Sequence, residues 1–279
     1  MKTILLDIGG TYIKCADGRQ IPAHSTGTAQ EIAGALRSAV GMPGQAGHDG
    51  GVTPDLIGGP DAIGAAIPGP FDYGSGTFLM KHKYASVYGQ DFRTLAGVPD
   101  EVEIKFRHDV VAQLEGGIRM LGLEGQNVAL VTLGTGLGFA HAVAGQVQCG
   151  PQGSPARGLW NLPIPEGGIL EDLISARGIS ATYASLSGGS GLDPLTVSRL
   201  ARMGDKASIA TYRQTGARLG LALKDLLGEL RIGTLLMGGQ ISGSLDLMLE
   251  PLQEAAGCGI RILRSPEGAV FEGLKCLFT

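Results

Sequence analysis

The sequence is poor in cysteine and has no cysteine pair of the C-x-x-C type. Its four cysteines are scattered: Cys15, Cys149, Cys258 and Cys276. Such spacing does not predict a disulfide framework or a zinc site, and it favours reduced thiols in a cytosolic protein.

Long apolar runs and an excess of basic residues are also missing. No run approaches the ~20 residues that a membrane-spanning helix needs, and Asp7 interrupts the short apolar run at the start, unlike a signal peptide. The net charge is −4, with 22 Lys and Arg against 26 Asp and Glu, so nothing attracts a polyanion. We expect a cytoplasmic protein that binds neither membrane nor nucleic acid.

Two common nucleotide-binding fingerprints are absent as well. The dinucleotide motif G-x-G-x-x-G opens a helix directly after a strand, but residues typical of a β-strand follow Gly9-Gly10-Thr11. No segment matches the P-loop pattern G-x-x-x-x-G-K-[ST].

Glycine, in contrast, is abundant at 47 of 279 residues, and hydrophobic residues make up 43 % of the chain. The length suits two lobes with a substantial core. Residues 4–16 and 128–143 both predict an apolar strand, a glycine turn and a second strand. This similarity arises by chance or predicts two similar lobes that face each other, with crossings near 107–110 and 258–266.

Hydrophobic periodicity predicts the remaining elements. We expect strands at 62–67, 128–131, 139–143 and 234–237, and a strand with one buried face at 102–107. We expect helices at 29–40, 110–121, 168–178, 194–203, 206–230, 244–256 and 266–277. Residues 41–54 and 150–168 are predicted loops, and 72–90 are predicted to be irregular.

The two glycine turns are candidate phosphate-binding sites. A turn without Cβ atoms lets backbone N–H groups approach phosphate oxygens closely. Asp7 ends the strand before the first turn, where a carboxylate can hold Mg²⁺ through water, and Thr11 and Thr135 add hydroxyl donors. The alternative is two ordinary hairpins, with Asp7 only capping the first.

An ordered set of short motifs along nearly the whole chain resembles the ROK family of repressors and sugar kinases, within the actin/hexokinase/Hsp70 superfamily. The motifs are Asp7-Ile8-Gly9-Gly10-Thr11, Pro68-Gly69-Pro70-Phe71-Asp72, His108-Asp109, Leu133-Gly134-Thr135-Gly136-Leu137-Gly138, Leu170-Glu171-Asp172 with Ser175 and Gly178-Ile179, and Gly238-Gly239 with Ser242.

The resemblance implies an α/β, two-lobed actin-like ATPase (ribonuclease H-like) fold, with mixed sheets flanked by helices and a central nucleotide cleft. A small lobe would comprise residues 1–108 and 264–279, and a large lobe 109–263. It also implies binding of ATP and Mg²⁺, with the metal held by Asp7 through water. The implied nucleotide residues are Asp7, Gly9, Gly10, Thr11, Lys14, Gly134, Thr135, Gly136, Gly138, Gly238, Gly239 and Ser242. The implied substrate residues are Gly69, His108, Asp109, Asn161 and Glu171.

Asp109 matches the catalytic aspartate of the family, which would accept the proton of a sugar hydroxyl as its oxygen attacks phosphorus. The alternative is that Asp109 only caps the following helix; the two roles are compatible. His108 stands where the family has Asn, and either contacts substrate or is a hydrogen-bonded histidine at a strand end.

The chain departs from the family where most members carry Glu-x-Gly-His and zinc cysteines. Asn161 falls at the His position and Gly158 near the Glu, so we expect no structural zinc and altered sugar contacts. Trp160 stacks on a sugar or packs in the core; we favour the core. The segment 81–84 (Lys-His-Lys-Tyr) meets an acidic or phosphorylated substrate or forms a solvated face.

Three functions fit these observations. The first is an ATP-dependent sugar kinase, glucokinase-like or acting on an amino sugar. The second is a regulator that binds ATP and sugar without turnover; we expect no DNA-binding domain, because the first turn begins at Asp7. The third uses another donor, such as polyphosphate. The resemblance also implies a homodimer.

Overall fold

The computed structural model describes residues 2–41, 59–164, 167–257 and 259–279. Most of the predicted loop at 41–54, and also Cys258, lie outside the described residues. The chain forms two compact units. The first contains Met1–Gly116, Cys149–Ser154 and Gly268–Thr279, and the second contains Gly117–Gln148 and Pro155–Glu267. The predicted lobe boundaries remain a prediction.

The first unit is built on a five-stranded mixed sheet. Its elements are β1 (Thr3–Ile8), β2 (Tyr12–Cys15), β3 (Gln20–Pro22), α1 (Ala29–Val40), β4 (Ala62–Ile67), β5 (Phe71–Asp72), β6 (Thr77–Phe78), α2 (Phe92–Ala96), β7 (Glu103–His108) and the start of α3 (Asp109–Leu121). The sheet order is β3-β2-β1-β4-β7, in which β1, β4 and β7 are parallel and the first hairpin is antiparallel.

Helix α1 shows how local sequence sets these elements. Thr28 and Glu31 form a reciprocal capping box at its start, and Gly41 ends it in the left-handed conformation, as capped helices commonly do. Ile32 and Leu36 lie at helical spacing and are fully buried against the sheet. The predicted helix at 29–40 is therefore confirmed.

Strand register brings three chain segments to one edge of this sheet. Asp7 of β1 pairs with Ala66 of β4, and Ile67 of β4 pairs with His108 of β7. Because the three strands are parallel, their carboxyl ends meet at the same edge, where open α/β sheets usually bind ligands. The first glycine turn, Gly69 and Asp109 all follow directly from these ends.

The second unit repeats this strand order. Its elements are β8 (Val128–Leu133), β9 (Leu137–Val143), β10 (Gln146–Val147), α4 (Leu170–Ile174), α5 (Ala176–Ser187), α6 (Pro194–Arg202), α7 (Lys206–Glu229), β11 (Thr234–Gly238), α8 (Leu245–Ala256) and β12 (Arg261–Arg264). The order β10-β9-β8-β11-β12 again joins an antiparallel hairpin to parallel strands. The predicted similarity of 4–16 and 128–143 thus reflects two sheets of one topology. Within the described part of the chain, no helix is long and apolar enough to cross a membrane.

Several sequence predictions were wrong in detail. The predicted helix at 168–178 is two helices, because Ser175 adopts an extended conformation between α4 and α5. The buried face predicted for β7 is confirmed, because Ile104 and Phe106 both pack on the core while Arg107 pairs with Glu115. Residues 72–90 contain part of the β5–β6 hairpin and a 3₁₀ turn at Ala85–Val87.

The end of the chain also differs from the prediction. The last helix, α9, covers only Ala269–Lys275, and a 3₁₀ turn at Cys276–Phe278 follows. The sequence prediction missed the short elements α2 and β12, which have too few residues to show periodicity.

Helices α3 and α9 approach each other closely through glycine. A Cβ placed on Gly273 would lie 1.9 Å from the carbonyl oxygen of Ala112. We expect Gly273→Ala to lower the free energy of unfolding by about 1–3 kcal/mol, because a backbone carbonyl has little room to move. Urea denaturation measures the effect.

Gly34 in α1 provides the matched control, since nothing lies within 4 Å of a Cβ placed there. Gly34→Ala should raise stability by up to about 1 kcal/mol through helix propensity alone. Equal effects of the two substitutions would contradict the close helix contact.

Candidate functional site

The first glycine turn is held by its carbonyl groups. The Tyr84 hydroxyl donates to the Gly9 carbonyl oxygen at 2.6 Å, and the Ser25 hydroxyl donates to the Gly10 carbonyl oxygen at 2.5 Å. In a trans peptide the N–H points opposite to the C=O. The N–H groups of Gly10 and Thr11 therefore point away from these anchors, and neither has a partner among the described residues.

Asp7 lies beside this turn with a partly buried carboxylate. Its Oδ2 atom is 3.9 Å from Lys14 Nζ, and its side chain is 21 % exposed. Burial and then the negative charge of Asp109 raise the pKa of Asp7 to about 6, although Lys14 acts in the opposite direction. The negative charge of one carboxylate at this sheet edge thus disfavours ionisation of the other.

Asp109 is the carboxylate of this pair that stays charged. His108 Nδ1 lies 2.9 Å from Asp109 Oδ1 and donates to it when Nδ1 carries the proton, and the Val110 N–H donates to the same oxygen at 2.7 Å. Burial acts to raise the pKa of Asp109, but these hydrogen bonds and the charges of His108 and Lys83 outweigh it and lower the pKa below its ordinary value. The carboxylate therefore remains an available base near neutral pH.

The Nδ1 atom of His108 faces Asp109, and its Nε2 atom lies close to Gly69. A Cβ on Gly69 would lie 3.6 Å from His108 Nε2 and 3.7 Å from Ser154 Oγ. The Tyr73 ring packs against the imidazole with centroids 5.9 Å apart, and the Tyr73 hydroxyl donates to the Ile67 carbonyl oxygen. His108 is thus a hydrogen-bonded histidine whose Nε2 borders a glycine.

In the second unit, the turn at residues 134–138 is fixed by helices α4 and α5. Glu171 Oε2 accepts the Leu137 N–H at 2.9 Å, and the Ala176 N–H donates to the Gly134 carbonyl oxygen at 2.9 Å. Arg177 pairs with the other Glu171 oxygen at 2.9 Å. Both oxygens of Glu171 therefore have partners in the structure, one of them in the glycine turn.

The remaining predicted nucleotide residues lie at the same edge of the second sheet. A Cβ on Gly239 would lie 2.2 Å from the Leu133 carbonyl oxygen, so Gly239 must be glycine for β11 to pass the second turn. Gly238 ends β11 opposite Thr132. The Ser242 hydroxyl donates to the Gly239 carbonyl oxygen at 2.7 Å and shapes this turn.

The segment at 154–163 differs from the sequence prediction in the position of its tryptophan. Trp160 is 51 % exposed, so its predicted core position was wrong; its neighbour Leu159 is buried instead. Asn161 is exposed. In the same segment, Arg157 forms an ion pair with Glu229.

The first site is suited to a hydrated Mg²⁺ rather than to a metal held by protein alone. Within the described ranges, no group of three or more His, Cys, Asp or Glu side chains is arranged to hold a metal ion. Burial and then the negative charge of Asp109 raise the pKa of Asp7, and Lys14 offsets this only in part. A cation that keeps most of its water ligands would relieve this charge, so Asp7 fits the predicted role.

Comparison with known proteins identifies the family. The ROK family model matches residues 3–258. The chain belongs to the ROK family. No curated protein sequence matches it.

Solved structures of ROK proteins share the fold. A ROK glucokinase from Streptomyces griseus, in complex with glucose and AMPPNP, is 21 % identical with a TM-score of 0.75 and 99 % of both chains covered. An inorganic polyphosphate/ATP-glucomannokinase from Arthrobacter sp. strain KM is 18 % identical with a TM-score of 0.64, covering 99 % of this chain and 97 % of that one.

A regulator also has this fold. A ROK family transcriptional regulator, described as a homolog of the E. coli MLC protein, is 15 % identical with a TM-score of 0.72, covering 99 % of this chain and 80 % of that one. At these identities the likeness establishes the fold alone. The predicted actin-like ATPase fold of this ROK protein is confirmed.

Sequence reasoning missed three residues of the first unit that contact the glycine turn. Tyr84 and Ser25 anchor its carbonyl groups, and the Lys83 side chain lies over Gly10. The only available signal was the unusual segment 81–84, and nothing in the pattern distinguished a turn contact from a solvated face.

The raised pKa of Asp7 makes stability depend on pH. Between about pH 4 and pH 6 the folded protein holds the Asp7 proton that the unfolded chain has released, so stability falls as pH rises through this window. Asp7→Asn removes the effect. We expect its stability relative to wild type to grow by about 1–2 kcal/mol between about pH 4 and pH 7.5.

Urea denaturation at both pH values measures the difference, with Asp100→Asn at an exposed position as the control. A difference that stays constant or shrinks as pH rises would show that Asp7 is not destabilised in its charged form.

Proposed function

We propose that this ROK protein is an ATP-dependent kinase that phosphorylates a hydroxyl of a sugar or sugar derivative. The observation that carries the proposal is the Asp109 carboxylate, held charged by His108 and the Val110 N–H at the same sheet edge as the first glycine turn. The sugar-kinase neighbours support this reaction class.

The first unit contributes three things to the reaction: it positions the reacting groups, stabilises negative charge and accepts one proton. Asp109 accepts the proton of the acceptor hydroxyl as that oxygen forms a bond to the γ-phosphorus. The bond from the γ-phosphorus to the β–γ bridging oxygen breaks, and ADP leaves with the electron pair. The N–H groups of Gly10 and Thr11 donate to phosphate oxygens, and such preorganised donors stabilise developing charge.

Asp7 would hold Mg²⁺ through water in this site. A bound magnesium ion neutralises charge on the β- and γ-phosphates. Asp7 supplies the protein carboxylate for it, and Lys14 limits the excess negative charge. The nucleotide roles of Gly134, Gly238 and the neighbouring residues of the second unit remain predictions, as do the homodimer and the cytoplasmic location.

One observation favours a second candidate, a regulator that binds ligands without turnover. The segment 154–163 lacks the Glu and His that most ROK kinases use, and its Asn161 is exposed. A ROK transcriptional regulator shares the fold. Altered sugar contacts are compatible with a different acceptor as well as with lost catalysis, so turnover decides between them.

The first test replaces the proposed base. We expect acceptor-dependent ADP release from ATP·Mg²⁺ across a panel of hexoses, N-acetylhexosamines and sugar phosphates. Asp109→Asn should lower kcat by about 10²–10⁴-fold, because it removes the proton acceptor. ATP affinity, measured by calorimetry, should stay within a few-fold.

Asp91→Asn is the matched control, since Asp91 starts helix α2 of the same unit by accepting the Thr94 N–H. That variant should turn over normally, as Asn caps helices about as well as Asp. Normal turnover of Asp109→Asn would show that the base is wrongly assigned, and ATP binding without turnover on any acceptor would favour the regulator.

The second test concerns the hydrogen bond from His108. Its loss should raise the pKa of Asp109, because the donor stabilises the charged carboxylate. A base with a higher pKa is deprotonated only at higher pH, so the acidic limb of the kcat/KM profile should move upward in His108→Ala.

His108→Asn keeps a side-chain donor and should return the limb toward its wild-type position. An unchanged acidic limb in His108→Ala would contradict the role of this hydrogen bond, even if overall activity falls.

A further inference from the structure

Lys83 lies across the first glycine turn. A Cβ placed on Gly10 would be 3.2 Å from each of Lys83 Cδ, Cε and Nζ. The end of the lysine side chain therefore runs over the residue whose N–H points away from the carbonyl anchors. Only glycine leaves this space at position 10 without displacing the lysine.

The Lys83 ammonium has no carboxylate partner within salt-bridge distance in the part of the chain that the structure describes. Its side chain is half-buried, whereas Lys81 and His82 of the same segment are exposed. Lys81 lies over the Tyr88 ring at 5.3 Å from the centroid. A half-buried, unpaired ammonium next to unpaired N–H groups makes a place suited to an anion.

Tyr84 fixes the backbone that carries Lys83. Tyr84 has a φ of 54°, in the left-handed region that a bulky residue rarely adopts. The residue is fully buried, its N–H donates to the Ser25 carbonyl oxygen at 2.5 Å, and its hydroxyl donates to Gly9. Such strain persists only where surrounding contacts maintain it and is often found at functional sites. The same residue thus anchors the turn and positions its lysine neighbour.

Lys83 is also close enough to Asp109 for its charge to favour the charged carboxylate. The lysine therefore lies near both the N–H groups proposed to hold the donor phosphates and the base proposed to deprotonate the acceptor. The group that passes between donor and acceptor is the γ-phosphoryl group, which carries negative charge on its outer oxygens throughout the transfer.

We propose that Lys83 binds the γ-phosphoryl group of the nucleotide and stabilises its negative charge during transfer. This inference rests on the proposed kinase function and adds a catalytic residue to it. A phosphate on the acceptor would offer the same chemistry, but the contact with the Gly10 turn favours the donor.

The test compares ATP and ADP affinity, which requires no turnover. Calorimetry with ATP·Mg²⁺ and ADP·Mg²⁺ is carried out on wild type and Lys83→Met, which keeps the length of the side chain but removes its charge. We expect the variant to lose about 10–100-fold in affinity for ATP, as for a charged hydrogen bond, and less than about threefold for ADP. Lys83→Arg should recover part of the loss.

Lys81→Met is the matched control, because Lys81 is exposed and lies away from the turn over Tyr88. It should change neither affinity. An equal loss for ATP and ADP in Lys83→Met would overturn the proposal, and so would a loss confined to a sugar phosphate, which would assign Lys83 to the acceptor.

Measurements of turnover distinguish a failure of the Lys83 proposal from a failure of the proposed kinase function. With a productive acceptor and saturating ATP, Lys83→Met should also lower kcat, because the phosphoryl oxygens stay negative throughout the transfer, while the KM for the sugar stays within about threefold. If wild type binds ATP but phosphorylates no acceptor, the kinase proposal fails while the ratio of ATP to ADP affinity still decides the Lys83 contact. Failure of wild type to bind ATP would overturn both.

Discussion

The first unit depends on one electrostatic constraint: Asp7 lies near the end of β1 and Asp109 directly follows the parallel strand β7, so both lie at the same sheet edge. Two nearby carboxylates do not both ionise at their ordinary pKa. The structure resolves this by giving Asp109 two hydrogen-bond donors, while burial and the charge of Asp109 raise the pKa of Asp7. Asp109 therefore stays charged, and the Lys14 charge offsets part of the rise in the pKa of Asp7.

The glycine turn between β1 and β2 has its carbonyl groups and its N–H groups on opposite sides. Tyr84 and Ser25 bind the carbonyl groups on one side, so that N–H groups face the other. Lys83, the neighbour of the strained Tyr84, adds positive charge on the side of the turn at Gly10. Buried contacts therefore position the N–H donors of the turn and the Lys83 ammonium. Their positive charge is complementary to that of negative phosphate groups.

Much of this architecture could be predicted from the sequence, because it is encoded locally. The capping residues Thr28 and Glu31 set helix α1, and the apolar run at 62–67 sets the central strand. Contacts between distant segments could not be predicted. The hydrogen bond between Tyr84 and Gly9 spans 75 residues, and the Glu171 contact with Leu137 spans 34. No sequence pattern showed that Trp160 would be exposed, since its size alone favours burial.

The two carboxylates should differ in pKa, and carboxyl-carbon NMR titration measures both values in the folded protein. With Asp7→Asn and Asp109→Asn used to assign the two signals, Asp7 should titrate at about pH 6. Asp109 should titrate below the ordinary range for an aspartate. The reverse order, or two ordinary pKa values, would contradict the assignment of Asp109 as the charged base.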